Sequence, residues 1–228
     1  MLSYFELSVV DLIAVLIFFG SWALHYYVVN YSALKRHTIT HHMIDVRQQW
    51  MRNMISRDGA PIDALIQGSL QQGVLFFGST SVLLIGALAT GLGASDRAIS
   101  ILQQLPFATT QSATQWELKL LLVLFIFVFA FFKFAWSHRL FNYIILMIGA
   151  APGSGQSSEE VEAYAYKLAR LHALGATHFT TGLNAYFFAL AAFAWFLNSW
   201  LFIAATVWVS VVLYRRAFRS KFLGILKS

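Results

Sequence analysis

Seven histidines are the side chains of this sequence best suited to chemistry, and four of them, His25, His138, His172 and His178, fall near the ends of long apolar stretches. A helix rises about 1.5 Å per residue. On that scale His25 sits about one turn inside the end of the first stretch, His138 just past the end of the third, His178 at the start of the fourth, and His172 nearly two turns outside it. They share one depth on three helices. Neutral imidazole binds zinc, copper or haem iron and can relay protons near neutral pH, so a cofactor held by these four side chains is one expectation. The competing explanation is an interfacial imidazole with its ring packed and its polar edge wet, as for Tyr and Trp. His37, His41 and Asp45 recur every fourth residue, a spacing that aligns them on one helical face, and His42 adjoins them. They are a second candidate metal set, although a zinc site takes three or four ligands and a solvated polar face accounts for the same spacing.

Other chemistries find little footing. Cysteine is absent, which removes disulfides, thiolate nucleophiles and Cys-ligated metals. The sequence contains no HExxH pattern, no glycine-rich phosphate loop, no Ser, His and acid in a triad arrangement and no paired carboxylates. It therefore does not point to an enzyme.

The elements that must position these histidines are membrane helices. Trp116 to Pro152 is apolar over more residues than the roughly 20 that cross a bilayer core. The whole chain of 228 residues is 58% hydrophobic and only 11% charged, far from the mix of a soluble domain. Hydropathy and turn residues predict an all-α membrane protein folded as one domain, with five spans near residues 7–29, 65–92, 116–136, 176–197 and 200–214. An amphipathic helix is predicted over about 33–57 and a short surface helix near Ala98 to Leu105. Ser56 to Ala60 and Gly149 to Gln156 are expected turns, Pro61 and Asp63 suit a helix first turn, and Ser157 with Glu160 forms a capping box. The apolar piece Leu140 to Ile148 is too short to cross again, so it is expected to pack outside the membrane against the 33–57 helix and the segment from Ser157 to Ala173. Gly78, Ser79, Ser81, Gly86 and Ala89 mark the second span as one that packs closely. Gln67, Gln71 and Asn184 are placed for bonds between helices, and Lys133 for snorkelling to an interface.

With these spans, fourteen of the sixteen Lys and Arg residues fall on one side; Arg97 and Lys119 are the exceptions. The positive-inside rule then puts the amino terminus of this multi-pass membrane protein outside and its carboxyl terminus in the cytoplasm. The net charge of +6 is accounted for by this bias, leaving nucleic-acid binding unsupported. Arg215, Arg216, Arg219 and Lys221 form a basic tail suited to anionic lipid headgroups. A small oligomeric channel or transporter for neutral or anionic solutes is the functional expectation. A histidine-based metal or haem protein and a structural partner of a larger membrane complex are the alternatives.

The stretch THFTTGLNAYFFALAAFAWFLNSWLFIAATVWVSVVLYRRAFRS, Thr177 to Ser220, resembles the bacterial membrane-protein family named domain of unknown function 599. The similarity extends through His25 to Tyr27 and Arg47 to Trp50. It implies a small polytopic protein of the inner membrane and brings no catalytic residues with it. Tyr186, Arg215 and Arg216 match its most distinctive pieces.

Overall fold

Three serines open helices by one device. Ser8, Ser112 and Ser157 each accept from a backbone N–H three residues on, while Asp11, Gln115 and Glu160 reach back to the backbone of the cap. Two otherwise orphaned donors are satisfied each time. These caps begin α1 (Val9–Asn30), α5 (Ala113–Gly149) and α6 (Ser158–Phe193) in the computed structural model, which describes residues 7–57, 61–102, 104, 112–152, 157–220 and 224. The remaining helices are α2 (Ile39–Ser56), α3 (Pro61–Leu92), α4 (Ser95–Leu102) and α7 (Ser199–Phe218), with 3-10 turns at Ala33–His37 and Ala194–Phe196. The described residues contain no strand, and five helices, α1, α3, α5, α6 and α7, are long and apolar enough to cross a membrane. The fold is the all-α, five-span arrangement that hydropathy predicts.

α5 has 37 residues and α6 has 36, so each is about 55 Å long against a hydrocarbon core of about 30 Å. Both overrun at the same end, where α2 lies against α6. Met51, Met54, Ile144, Ile148, Leu168 and Ala169 are buried between them. The extension of Leu140 to Ile148 packs on α6 rather than broadly on both α2 and α6 as expected, and only along one face: Ile144 is fully buried, while Tyr143 is 40% and Leu146 69% exposed. This end, which carries α2, is called the basic end below.

α2 begins later than expected. Thr38 takes an extended backbone (φ −80°, ψ 153°) and its hydroxyl accepts from His41 N at 3.4 Å, so Thr38 caps the helix and splits the predicted 33–57 element in two. α4 starts at Ser95, three residues before the predicted surface helix. The rest of that loop at 103 and 105–111, and parts of the predicted turns at 58–60 and 153–156, lie outside the described residues.

The close helix contact is made by α6. An added Cβ at Gly182 would meet Phe134 Cε1 at 2.5 Å, and one at Gly175 would meet Phe141 Cε1 at 2.6 Å. Beside the second contact, Ser137 of α5 donates to Gly175 O at 2.8 Å. On α3 the predicted small-residue face is realised at Gly78, which faces Phe134 Cβ, and at buried Ser81, but Gly86 has open space around it.

At the opposite end Asp11, only 8% exposed, is fully engaged. Its carboxylate accepts from Trp195 Nε1 at 2.7 Å, from the Ser199 hydroxyl, and from Ser8 N and Oγ at 3.0 and 2.7 Å. Lys119 Nζ lies 5.4 Å from the Trp195 ring centroid. The start of α1, the start of α5 and the turn between α6 and α7 are thereby tied together.

Gly182→Ala should destabilise the protein by about 1–3 kcal/mol, because the added methyl would meet the buried Phe134 ring and force it to shift. Gly86→Ala should be neutral or slightly stabilising, since helix propensity favours alanine by about 0.5–1 kcal/mol. Thermal unfolding of the two variants in detergent checks this, and equal midpoints would contradict the packing.

Candidate functional site

The run Thr177, Thr180, Thr181 and Asn184 repeats at intervals of three and four, which lays a polar stripe down one face of α6. α1 faces this stripe with His25, Val29 and Asn30, and the segment entering α2 folds Thr38 and Thr40 over it. Between them lies a chamber of two adjoining lobes at the basic end. One lobe, about 30 Å³, reaches Trp22, Tyr26, Asn30 and Lys35; the other, about 160 Å³, reaches Leu213 and Arg216 of α7. His25, Thr38, Thr40, Thr180 and Asn184 line both lobes. The larger volume matches that of a cavity of about 150 Å³ known to take benzene, so it accommodates a group of about half a dozen heavy atoms.

The polar valences of the lining can be followed one by one. Asn184 hydrogen-bonds His25 across the helix pair, Nδ2 to Nε2, at 3.2 Å. Thr177 and Thr181 donate to carbonyls four residues back, Thr38 donates to Lys35 O, and Asn30 donates to Tyr26 O, all at 2.7–2.8 Å. Among the described residues the hydroxyls of Thr40 and Thr180 make no hydrogen bond, and Lys35 and Arg216 form no ion pair. No Asp or Glu lines either lobe. Free hydroxyl donors, amide donors and two cations, with no carboxylate, are the equipment for holding an anion.

The four interfacial histidines go to separate partners. His25 pairs with Asn184; His138 lies 3.1 Å from Gln71 Nε2, which also donates to Asn142 at 2.6 Å; His178 faces Trp136 with ring centroids 6.4 Å apart. His172 accepts at Nδ1 from Arg47 Nε at 3.0 Å and sits between Trp50 and Phe141. No three His, Asp or Glu residues among those described gather in reach of one ion. The same holds for His37, His41 and Asp45. His37 lies on the 3-10 turn ahead of the Thr38 cap, so the expected single helical face is broken between His37 and His41. Gln71 and Asn184 make the predicted bonds between helices, whereas both amide atoms of fully buried Gln67 lack a partner among the described residues.

The basic tail also divides. Arg215, Arg216 and Arg219 are all exposed at the end of α7 and Lys221 lies outside the described residues, but Arg216 alone of these also lines the chamber, with its guanidinium 5.7 Å from the Phe187 ring. Tyr186 has a packing role: its hydroxyl lies 2.9 Å from Ser81 Oγ and donates to Phe77 O at 3.1 Å, joining α6 to α3. Lys133 holds its ammonium over the rings of Phe129 and Tyr26, 5.1 and 5.8 Å from their centroids.

Beside the chamber, α2 is fastened to the bundle by polar contacts. Trp50 Nε1 donates to buried Asp63 at 2.6 Å, Arg57 approaches the same oxygen at 3.7 Å, and Arg52 pairs with Glu162, which also accepts from Gln48. Arg47 is always a donor here, so the proton of neutral His172 sits on Nε2, a buried atom with no partner. His172 belongs to the part of α6 outside the predicted span. Burial, reinforced by the Arg47 charge, pushes its pKa from 6.5 down to about 4.

A base whose folded pKa is depressed takes its proton first in the unfolded chain, so its contribution is intact above the ordinary value and lost as pH falls. Stability should therefore decrease between pH 6.5 and about 4. His172→Asn, whose Oδ1 can still accept from Arg47, should flatten that part of the profile. Unfolding midpoints across this range check it, and an unchanged slope would remove His172 as the cause.

Neither a curated protein nor a solved structure matches the chain. A family model, described as a protein of unknown function, DUF599, does match, and it covers residues 13–222. With the match running from the first helix to just beyond the last, the chain belongs to the DUF599 family.

Proposed function

We propose that this protein is an inner-membrane transporter that binds an anionic group in the chamber between α1, α6 and α7, with its basic end in the cytoplasm. The observation that carries this is the composition of the chamber wall: Lys35, Arg216, unengaged hydroxyls on Thr40 and Thr180, and no carboxylate. An anion that gives up hydrogen bonds to water must recover them where it binds, and this wall offers donors to replace them. The segregation of fourteen of sixteen cations supports the orientation. At the far end the Asp11 cluster closes the bundle, which suits a binding site reached from one side at a time. The chamber lies within a single chain, so binding there needs no second subunit.

Purified protein in liposomes should accelerate flux of phosphate or a small carboxylate, and Arg216→Gln and Thr180→Val should each reduce it several-fold. Equal leak with and without protein, across phosphate, sulfate, chloride and small carboxylates, would overturn transport. For orientation, a reporter fused after Ser228 should be active in the cytoplasm; activity confined to the periplasm would reverse it.

A further inference from the structure

The chamber does not end at its polar wall. Trp22 and Tyr26, which line its smaller lobe, also line an apolar groove of about 360 Å³ between α1 and α5, completed by Phe19, Ala23, Phe125 and Phe129. Phe19 and Phe125 are 41% and 54% exposed, so the groove opens outward along helices that lie in the membrane. Phe19 to Tyr26 spans about 10 Å of α1. The groove therefore runs from interface depth toward the membrane middle. Lys133 sits where groove and chamber meet, because Tyr26 belongs to both and its ring lies under the Lys133 ammonium together with Phe129. Among the described residues no carboxylate pairs with Lys133.

A polar anion pocket, a cation at its rim and an apolar channel leading away from it are arranged in the order of the parts of one molecule. We infer that the ligand is an anionic glycerophospholipid of the cytoplasmic leaflet. Its phosphate lies between Lys133 and Lys35, its headgroup hydroxyls reach the threonines and Asn184, and one acyl chain lies in the groove. This rests on the chamber being an anion site and names the class of anion. A simple soluble anion would use the chamber and gain nothing from the groove. A zwitterionic lipid would place an ammonium among Lys35, Lys133 and Arg216. The exposed tail cations Arg215 and Arg219 attract any anionic surface without selecting one molecule, so binding by the tail alone would be indifferent to groove variants.

The test uses the full chain in detergent, titrated with phosphatidylglycerol, with phosphatidylcholine of the same chains, and with inorganic phosphate, bound species being counted by native mass spectrometry. Phosphatidylglycerol should bind at about one per chain and more tightly than phosphatidylcholine. Ala23→Trp, at an exposed position, fills the groove and should weaken phosphatidylglycerol while leaving phosphate binding unchanged. Lys133→Gln should cost roughly fivefold for the anionic lipid, as expected for one cation at a charged surface. Thr180→Val should weaken both ligands. If the two lipids bind alike, or if neither Ala23→Trp nor Lys133→Gln alters phosphatidylglycerol while Thr180→Val still weakens phosphate, the lipid assignment is wrong and the anion chamber stands. If Thr180→Val changes neither ligand, the chamber itself is wrong.

Discussion

The approach of α6 to α5 at Gly175 and Gly182 is the constraint on which the other contacts depend. Within a membrane, apolar surface gains little by leaving lipid for protein, so helices are held by close van der Waals packing and by hydrogen bonds. Both are present in this contact. The Phe134 and Phe141 rings rest on glycine backbone, and the Ser137 hydroxyl donates to the Gly175 carbonyl. Phe134 then becomes a post for other rings. Phe77 of α3 stacks on it at 5.8 Å, and Phe179 and Tyr186 of α6 pack at 5.8 Å from its remaining sides. A methyl at Gly182 would displace this ring and disturb the α3 contact as well as the α6 contact.

Once that seam is fixed, the rotation of α6 about its axis is fixed, and so is the direction of every other side chain on it. Residues 175 and 182 face α5, while Thr177, Thr180, Thr181 and Asn184 fall on the side that meets α1 and the α2 cap. His172, one turn nearer the basic end, is delivered to Arg47 and Trp50 of α2. The chamber and the docking of α2 thus follow from the same glycine contact, although no chamber residue takes part in it.

This explains which features were legible in the sequence. Length along a helix follows from counting residues, so the five spans and the excess length of α5 and α6 could be anticipated. Rotation depends on which neighbour a helix meets, and the sequence does not state that pairing. The four histidines, expected at one depth, point to separate partners: an amide of α6, an amide of α3, an arginine of α2 and the Trp136 ring. The polar stripe of α6 was visible as a spacing, but its facing partners come from α1 and from the segment before α2, distant in sequence. The break at Thr38 was harder to foresee, because the residues after Ala33 are compatible with a helix and a single threonine cap divides them. Small residues misled for a related reason: those of α3 were conspicuous, whereas the closest contact uses two glycines separated by one heptad on α6.

The two ends of the bundle treat buried polarity in opposite ways. At the far end Asp11 receives donors from Ser8, Trp195 and Ser199, so that a buried carboxylate is compensated by several hydrogen bonds. At the basic end lie four of the five buried side-chain atoms that lack a partner among the described residues, both of Gln67, Nε2 of His42 and Nε2 of His172. Each such group costs about 1–3 kcal/mol when left unpaired. Gln67 lies one turn from Asp63 on the same face of α3, and Asp63 is held by Trp50, whose ring also packs on His172. The unsatisfied groups therefore surround the elements that hold α2 in place, and α2 begins at the Thr38 cap over the chamber. At the far end, by contrast, the buried carboxylate of Asp11 is matched by donors from three residues.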